Sequence, residues 1–299
     1  MMKTIAEIIE AAKAGGRKRI AVAAAQEHTA LEAAVDAWRH GLAEPVLIGD
    51  LKAIDAIAAE LKLDISAFER IEEKDFARAA AKAVELVRTG KADMLMKGLL
   101  DTSILLKAAF NKETGINAGR LASHVAVMET AHYHKLFLVT DAAINIAPDL
   151  SAKIDIIANA VQVARAIGVE TPKVALLAAV EKVNYDKMPC TVDAAVIAQM
   201  NRRGQVKGCV VDGPLALDNA VSAESAKIKK IVSEVAGDAD ILVVPDIEAG
   251  NVLYKSLLDL GGAKGAGLVM GAAKPIVLTS RADTAETKLA SIALAALAS

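Results

Sequence analysis

Short apolar runs, separated by stretches of helical period, recur from one end of this chain to the other and restrict its fold more than any other feature. Runs at 19–25, 45–49, 92–98, 123–129, 135–141, 173–179, 207–213, 239–246, 267–271 and 275–280 are mostly continuous in apolar character. That is the pattern of strands covered on both faces. Between many of them, residues 29–41, 74–90, 102–110, 151–168, 191–203, 220–236 and 249–260 carry apolar side chains at helical spacing. In 151–168, for example, Ile154, Ile157, Ala158, Val161 and Ala164 share a face, Ser151 is placed as a cap, and Gly168 as the stop. The alternation predicts an α/β fold of α/β/α layers with largely parallel sheets.

One pair of runs breaks the alternation. The runs within 123–141 are joined only by "TAHYH", which predicts an adjacent hairpin and the crossover between two domains. At 299 residues the chain is long enough for two compact domains. The expected division is 1–128 plus 275–299 for the first and 129–274 for the second. No linker marks it, so the ligand site is expected in a cleft between the two, where the carboxyl ends of strands collect.

Composition excludes several classes. The hydrophobic fraction of 54% is broken by charges, leaving no apolar run long enough for a membrane span. The start of the sequence reads as an amphipathic helix with Glu7 and Glu10 where a secretory signal would be apolar, so cytoplasmic residence is expected. With 35 basic and 37 acidic residues interleaved, and only 4 Phe, 3 Tyr and 1 Trp, no nucleic-acid surface is expected. Cys190 and Cys209 suit neither a disulfide framework nor a redox or zinc motif. His124, His132 and His134 lie close in sequence but lack an acidic or thiol partner at ligand spacing. "GGAKGAG" at 261–267 follows a helix rather than a strand, so it reads as a cap and loop, not a dinucleotide fingerprint.

The strand ends carry more chemistry. "MLMKGLLDTS" puts Lys97 and Gly98 after an apolar run, with Asp101, Thr102 and Ser103 where a helix begins; a glycine admits a close approach and helix amides favour an anion. Thr140, Asp141 and Asn145 follow another run, Asp212, Gly213 and Pro214 a third, and Asp246, Glu248, Gly250 and Asn251 a fourth. Each set also reads as turn chemistry. After the last run, Ser280 offers a neutral donor and Arg281 a permanent cation whose fork fits phosphate or a developing oxyanion. Asp283 and Glu286 read equally as site acids or as residues of a helix first turn.

Taken in order, "MKGLLDTSILLKAAFNKETGI", "GRLASHVAVME", "VTDAAINIAPDL", "KMPCTVDAA", "VDGPLALDNA", "ILVVPDIEAGNVLYKSL" and "AKPIVLTSRADTAETKLASIALA" resemble the phosphate acetyl/butyryltransferase family, and its shorter butyryl branch more than its acetyl branch. The resemblance implies a fold like isocitrate and isopropylmalate dehydrogenases, of two α/β/α domains with the C-terminal segment returning to the first. It also implies the reversible reaction of a short acyl-CoA, butanoyl favoured, with phosphate to give acyl phosphate and CoA. CoA is then a substrate, with no metal or redox cofactor required, and the protein is expected to be a homo-oligomer, at least a dimer. Acetyl specificity within the family stays open.

Ser280 and Arg281 match the family's Ser-Arg pair after the last strand. By that resemblance Arg281 binds phosphate or offsets transition-state charge, while Ser280 hydrogen-bonds the attacking or departing group. The acetyl branch follows the pair with a glycine- and cysteine-containing segment and a base aspartate. Here "ADTAET" follows, and spacing falls near Glu286 or Thr287; threonine is no such base, so Asp283 and Glu286 both stand for the role. Lys97, Gly98, Thr102, Thr140, Asp141, Asn145, Asp246 and Asn251 are the substrate-binding candidates. Arg120 is a second anion-binding candidate or an ordinary loop arginine. The competing classes are an NAD-dependent oxidoreductase of the same broad fold, which would need a clean metal-binding set, and a non-catalytic acyl-CoA-binding protein.

Overall fold

The computed structural model describes residues 1–279 and 283–299. In chain order the helices are α1 (Ile5–Ala14), α2 (His28–Arg39), α3 (Leu51–Glu60), α4 (Phe76–Arg88), α5 (Thr102–Ala109), α6 (Leu150–Ala166), α7 (Cys190–Arg202), α8 (Leu217–Val221), α9 (Ala223–Ile228), α10 (Ile247–Lys255) and α11 (Ala285–Ala298). The strands are β1 (Lys18–Ala23), β2 (Ala43–Gly49), β3 (Glu69–Glu72), β4 (Met94–Lys97), β5 (Ser123–Glu129), β6 (Phe137–Thr140), β7 (Lys173–Leu177), β8 (Val210–Leu215), β9 (Ile241–Val243), β10 (Lys264–Met270) and β11 (Ile276–Val277). The chain divides into two compact units. A composite unit joins 5–122 to 266–299, and a central unit joins 1–4 to 123–265.

In the composite unit the strand order is β3-β2-β1-β4-β11-β10, parallel throughout except for the antiparallel β10–β11 pair. The inner strands are apolar because helices cover them: Ile20, Val22, Met94, Leu95 and Met96 are all fully buried. Helix α11 packs on α1, α2 and β11, and buries Ile292, Ala293, Leu294 and Ala295. Its many alanines let neighbouring helices approach closely, at little cost in side-chain entropy.

The central unit has the order β5-β6-β9-β7-β8. Strands β5 and β6 form the expected hairpin, antiparallel with Ala126 opposite Val139, and the remaining pairs are parallel. Met128, Phe137, Val139, Ala175, Leu242 and Val235 belong to one continuous core, against which Tyr133 and Tyr254 pack. Both units therefore have the α/β character, with largely parallel sheets, that the alternating pattern predicts.

Several local expectations change. Helix α6 is capped by Asp149, whose carboxylate accepts from the Ala152 amide at 2.8 Å, so Ser151 lies inside the helix. A single helix over 220–236 is replaced by α8 and α9, separated by Ser222 in an extended conformation. Helix α9 closes with Lys230 at φ 55° and a hydrogen bond from the Ile231 amide to the Ala226 carbonyl, a left-handed stop. The helix expected over 249–260 is α-helical only to Lys255 and finishes in a π-helical turn, Ser256–Leu260. Finally, among the described residues of the run at 275–280 only Ile276–Val277 are strand, and the exposed edge strand β3 had no apolar signal to announce it.

Candidate active site

In the composite unit, the carboxyl end of β4 gathers Lys97, Gly98 and Thr102. Lys97 is buried, 9% exposed, and its Nζ donates to the Gly98 carbonyl at 3.2 Å. The close approach that Gly98 permits is to β1's own backbone: a Cβ there would stand 2.1 Å from the Ala24 carbonyl oxygen. The Gly98 and Leu99 amides donate to the Ala23 and Ala24 carbonyls at 2.9 and 2.8 Å, tying the two strand ends together. Asp101 takes the N-cap position of α5 with an extended backbone but makes no side-chain cap hydrogen bond, and Thr102 opens the helix. Arg120 sits exposed in the loop between α5 and β5, after Gly119, whose amide donates to Asn117 Oδ1 at 2.7 Å.

The start of α11 separates the two rival acids. Thr284 is the N-cap, its hydroxyl accepting from the Thr287 amide at 3.2 Å, so Asp283 does not hold that position. Glu286 is exposed in the first helical turn, where its charge complements the helix dipole. Asp283 is half-buried, just outside the helix. Ser280 and Arg281 lie outside the described residues.

A group that sequence reasoning did not single out stands nearby in the same unit. Glu27 is the N-cap of α2, accepting from the Ala30 amide at 2.7 Å and the Thr29 amide at 3.1 Å. Lys288 of α11, only 3% exposed, approaches Glu27 Oε2 at 3.4 Å and also donates to the Thr29 hydroxyl. Burial works to raise the Glu27 pKa, but the Lys288 charge and the hydrogen bonds from Thr29 and Ala30 outweigh it and hold the carboxyl below its ordinary range. The acid directly before a helical run was the legible half of this pair. Its lysine partner, at the other end of the chain, was not.

In the central unit, β6 and β9 are parallel, and their carboxyl ends bring five candidates into one turn system. The buried Thr140 hydroxyl donates to the His124 carbonyl at 2.7 Å. Asp141, 2% exposed, accepts from the amides of Ala143, Ile144 and Asn145 at 2.9, 3.0 and 3.1 Å, and from Asn145 Nδ2 at 2.6 Å. Asp246 caps α10 through the Ala249 amide at 2.8 Å, and Asn251 Nδ2 donates to the Ala142 carbonyl at 3.2 Å. Gly250 lets α10 lie on this turn, since a Cβ would meet the Asp141 carbonyl oxygen at 2.7 Å. With four donors on its carboxylate, Asp141 shapes the loop.

The histidines and cysteines have other duties. His134 Nε2 lies 3.0 Å from Asp238 Oδ1, within a cluster where Lys135 Nζ meets Asp240 at 2.6 Å and Lys173 Nζ meets Asp238 at 2.7 Å. Among the described residues, no group of three or more His, Cys, Asp or Glu is arranged to hold a metal ion. Cys209 is buried, and that burial pushes its thiol up to about 11, with Arg165 offsetting only part of the shift. It is therefore no nucleophile at neutral pH. No described helix is long and apolar enough to cross a membrane.

The sequence matches the family described as "Phosphate acetyl/butaryl transferase" over residues 3–81 and 74–296. It is 52% identical to the phosphate butyryltransferase of Clostridium acetobutylicum over 297 residues, covering 99% of this chain and 98% of that one. It is 46% identical to the phosphate acetyltransferase of Thermotoga maritima over 291 residues, covering 97% and 98%. Among solved structures, a branched-chain phosphotransacylase from Enterococcus faecalis superposes with a TM-score of 0.83 at 36% identity, covering 94% of this chain and 98% of that one. The buried Lys97 at the end of β4 and the turn built on the Asp141 carboxylate thus sit in a sequence related along its whole length to acyl-transferring enzymes, and the chain belongs to the phosphate acetyl/butaryl transferase family.

Proposed function

We propose that the protein transfers a short acyl group reversibly between CoA and inorganic phosphate, with butanoyl the favoured group. The observation that carries this reading is the near full-length identity to a phosphate butyryltransferase. Acetyl transfer is the second reading, supported by the acetyltransferase of Thermotoga maritima.

In this reaction a phosphate oxygen attacks the thioester carbonyl, a tetrahedral oxyanion forms, and the C–S bond breaks to release CoA as the thiolate, which takes up a proton. The site must hold a phosphate dianion, stabilise the oxyanion and manage that proton. We assign phosphate binding and charge stabilisation to Arg281, and the hydrogen bond to the attacking or departing group to Ser280. In the reverse direction the thiol, with an ordinary pKa of about 8.5, needs a base. Asp283 is our candidate, because Glu286 is exposed within α11. Lys97, at the end of β4, is assigned to the anionic substrate, and the loop shaped by Asp141 and Asn145 to positioning. This chemistry calls for no metal or redox cofactor. Cytoplasmic residence and a homo-oligomeric state, at least a dimer, complete the reading; sedimentation velocity tests the latter.

The deciding measurement is release of free thiol from acetyl-, propanoyl-, butanoyl- and longer acyl-CoAs with and without phosphate. Release that depends on phosphate and is fastest with butanoyl-CoA is expected. Release independent of phosphate would overturn the reading.

A further inference from the structure

Helix α11 lies against α1, α2 and β11 in the composite unit, and four of its eight buried residues are alanine. Alanine presents shallow ridges to its neighbours, so such a face does little to set how far the helix slides or turns.

Two buried polar residues do set it. Lys288 reaches Glu27 Oε2 at 3.4 Å and donates to the Thr29 hydroxyl, both at the start of α2. Ser291, fully buried, accepts from the Gly267 amide of β10 at 2.9 Å, while its own hydroxyl donates to the Thr287 carbonyl at 2.8 Å. Residues three apart are neighbours on a helix surface, so α11 is held at two adjacent points, against α2 and against β10. Apolar side chains of the same volume would serve stability as well as the ion pair does, and the best-attested use of such a buried polar contact is to fix register.

Register matters at this helix because of what leads into it. Strand β11 runs parallel to β4 with Val277 opposite Met96, and α11 starts at the Thr284 cap. The chain between them carries Ser280, Arg281 and Asp283. One end of that chain is held by β4, and the other moves with α11. A slip of one residue shifts a helix about 1.5 Å along its axis and turns it about 100°. A displacement of that size takes reacting groups out of line. We infer that Lys288 and Ser291 are positioning residues for acyl transfer, holding α11 in the register at which the segment before it presents the Ser-Arg pair and Asp283. The inference rests on the roles given to those three residues in the proposed reaction.

Lys288→Met and Ser291→Ala remove the polar contacts, whereas Ile292→Val and Leu294→Ala thin the apolar packing of the same helix and leave both contacts in place. Initial rates are compared well below each variant's melting temperature. The first two variants are each expected to lower kcat about tenfold or more, with KM for butanoyl-CoA within about twofold of the wild type. The last two are expected to lower the melting temperature and keep kcat. Backbone amide resonances give a second readout that needs no turnover: those of Thr279 and Asp283 are expected to move in the first two variants and to hold in the last two. Unmoved resonances in Lys288→Met and Ser291→Ala, an unchanged kcat in both, or an equal loss of kcat in Leu294→Ala overturns the inference. A wild type without phosphate-dependent thiol release overturns the proposed reaction instead, and the amide resonances still decide whether the two residues set the register.

Discussion

Lys288 Nζ lies 3.4 Å from Glu27 Oε2, a contact that joins the last helix of the chain to the cap of α2 in the composite unit. The side chains are 3% and 17% exposed, so neither charge has water enough to replace its partner. Lys288→Met, which leaves the carboxylate buried, is expected to cost about 3 kcal/mol, read as a shift in urea midpoint at constant slope. The pH dependence has a definite sign. Glu27 is more acidic folded than its ordinary value of 4.5, so its contribution is complete above that pH and is lost as pH falls through the folded value. Glu27→Gln removes this titration, and its melting temperature is expected to fall less steeply than that of the wild type below pH 4.5.

Gly98 is fixed by contact. With a Cβ placed 2.1 Å from the Ala24 carbonyl oxygen, Gly98→Ala must push β4 and β1 apart at their carboxyl ends. A loss of roughly 1–3 kcal/mol is expected, together with a rise in KM for phosphate if Lys97 moves with the strand. Thermal denaturation and initial rates at varied phosphate separate the two effects, and an unchanged melting temperature would contradict the packing account.

Asp141→Ala strips one acceptor from four donors at the end of β6. A destabilisation of about 3 kcal/mol is expected, since amides left without a partner in a buried turn keep their full desolvation cost. Hydrogen exchange should quicken first at Ala143, Ile144 and Asn145. Uniform acceleration across the central unit, or none, would argue against a local role.

The acids near the Ser-Arg pair give a paired prediction. Arg281→Ala is expected to lower kcat at least 100-fold, on the order of the loss of an oxyanion donor, with circular dichroism unchanged. Asp283→Asn is expected to lower kcat in the direction that consumes CoA, whereas Glu286→Gln should leave it intact. The reverse ranking would transfer the base to Glu286. Because Thr284 supplies the helix cap, neither substitution removes it, and rates can be compared at matched stability.

How far the sequence reveals the molecule depends on which residues carry a local signal. The inner strands announce themselves because both faces are buried; β3 does not, because Glu69 and Arg70 point to water along an edge. The segment 220–236 has helical spacing, but part of that spacing comes from Ile228, 72% exposed, and Val232, 99% exposed, while the chain actually turns at Ser222 and Lys230. Asp149 and Ser151 are both good caps by type, and only the backbone conformation at Asp149 decides between them. At the site, Asp141, Asn145, Asp246 and Asn251 were legible as turn formers after apolar runs, and the structure brings them together. The Glu27–Lys288 pair was not legible, because no periodicity links residues at opposite ends of a chain.

The placement of β11 between β4 and β10 has a consequence for how the protein is made. During synthesis the composite unit emerges first but lacks the strand that covers β4, so Met94, Leu95 and Met96 wait on an open edge while the whole central unit is translated. The central unit, apart from residues 1–4, is one uninterrupted stretch and can close as soon as it leaves the ribosome. Residues 5–122 are thus made before the central unit but finished after it, and nascent chains stalled before residue 266 should hold a protease-resistant central unit beside a 5–122 segment that still needs a chaperone.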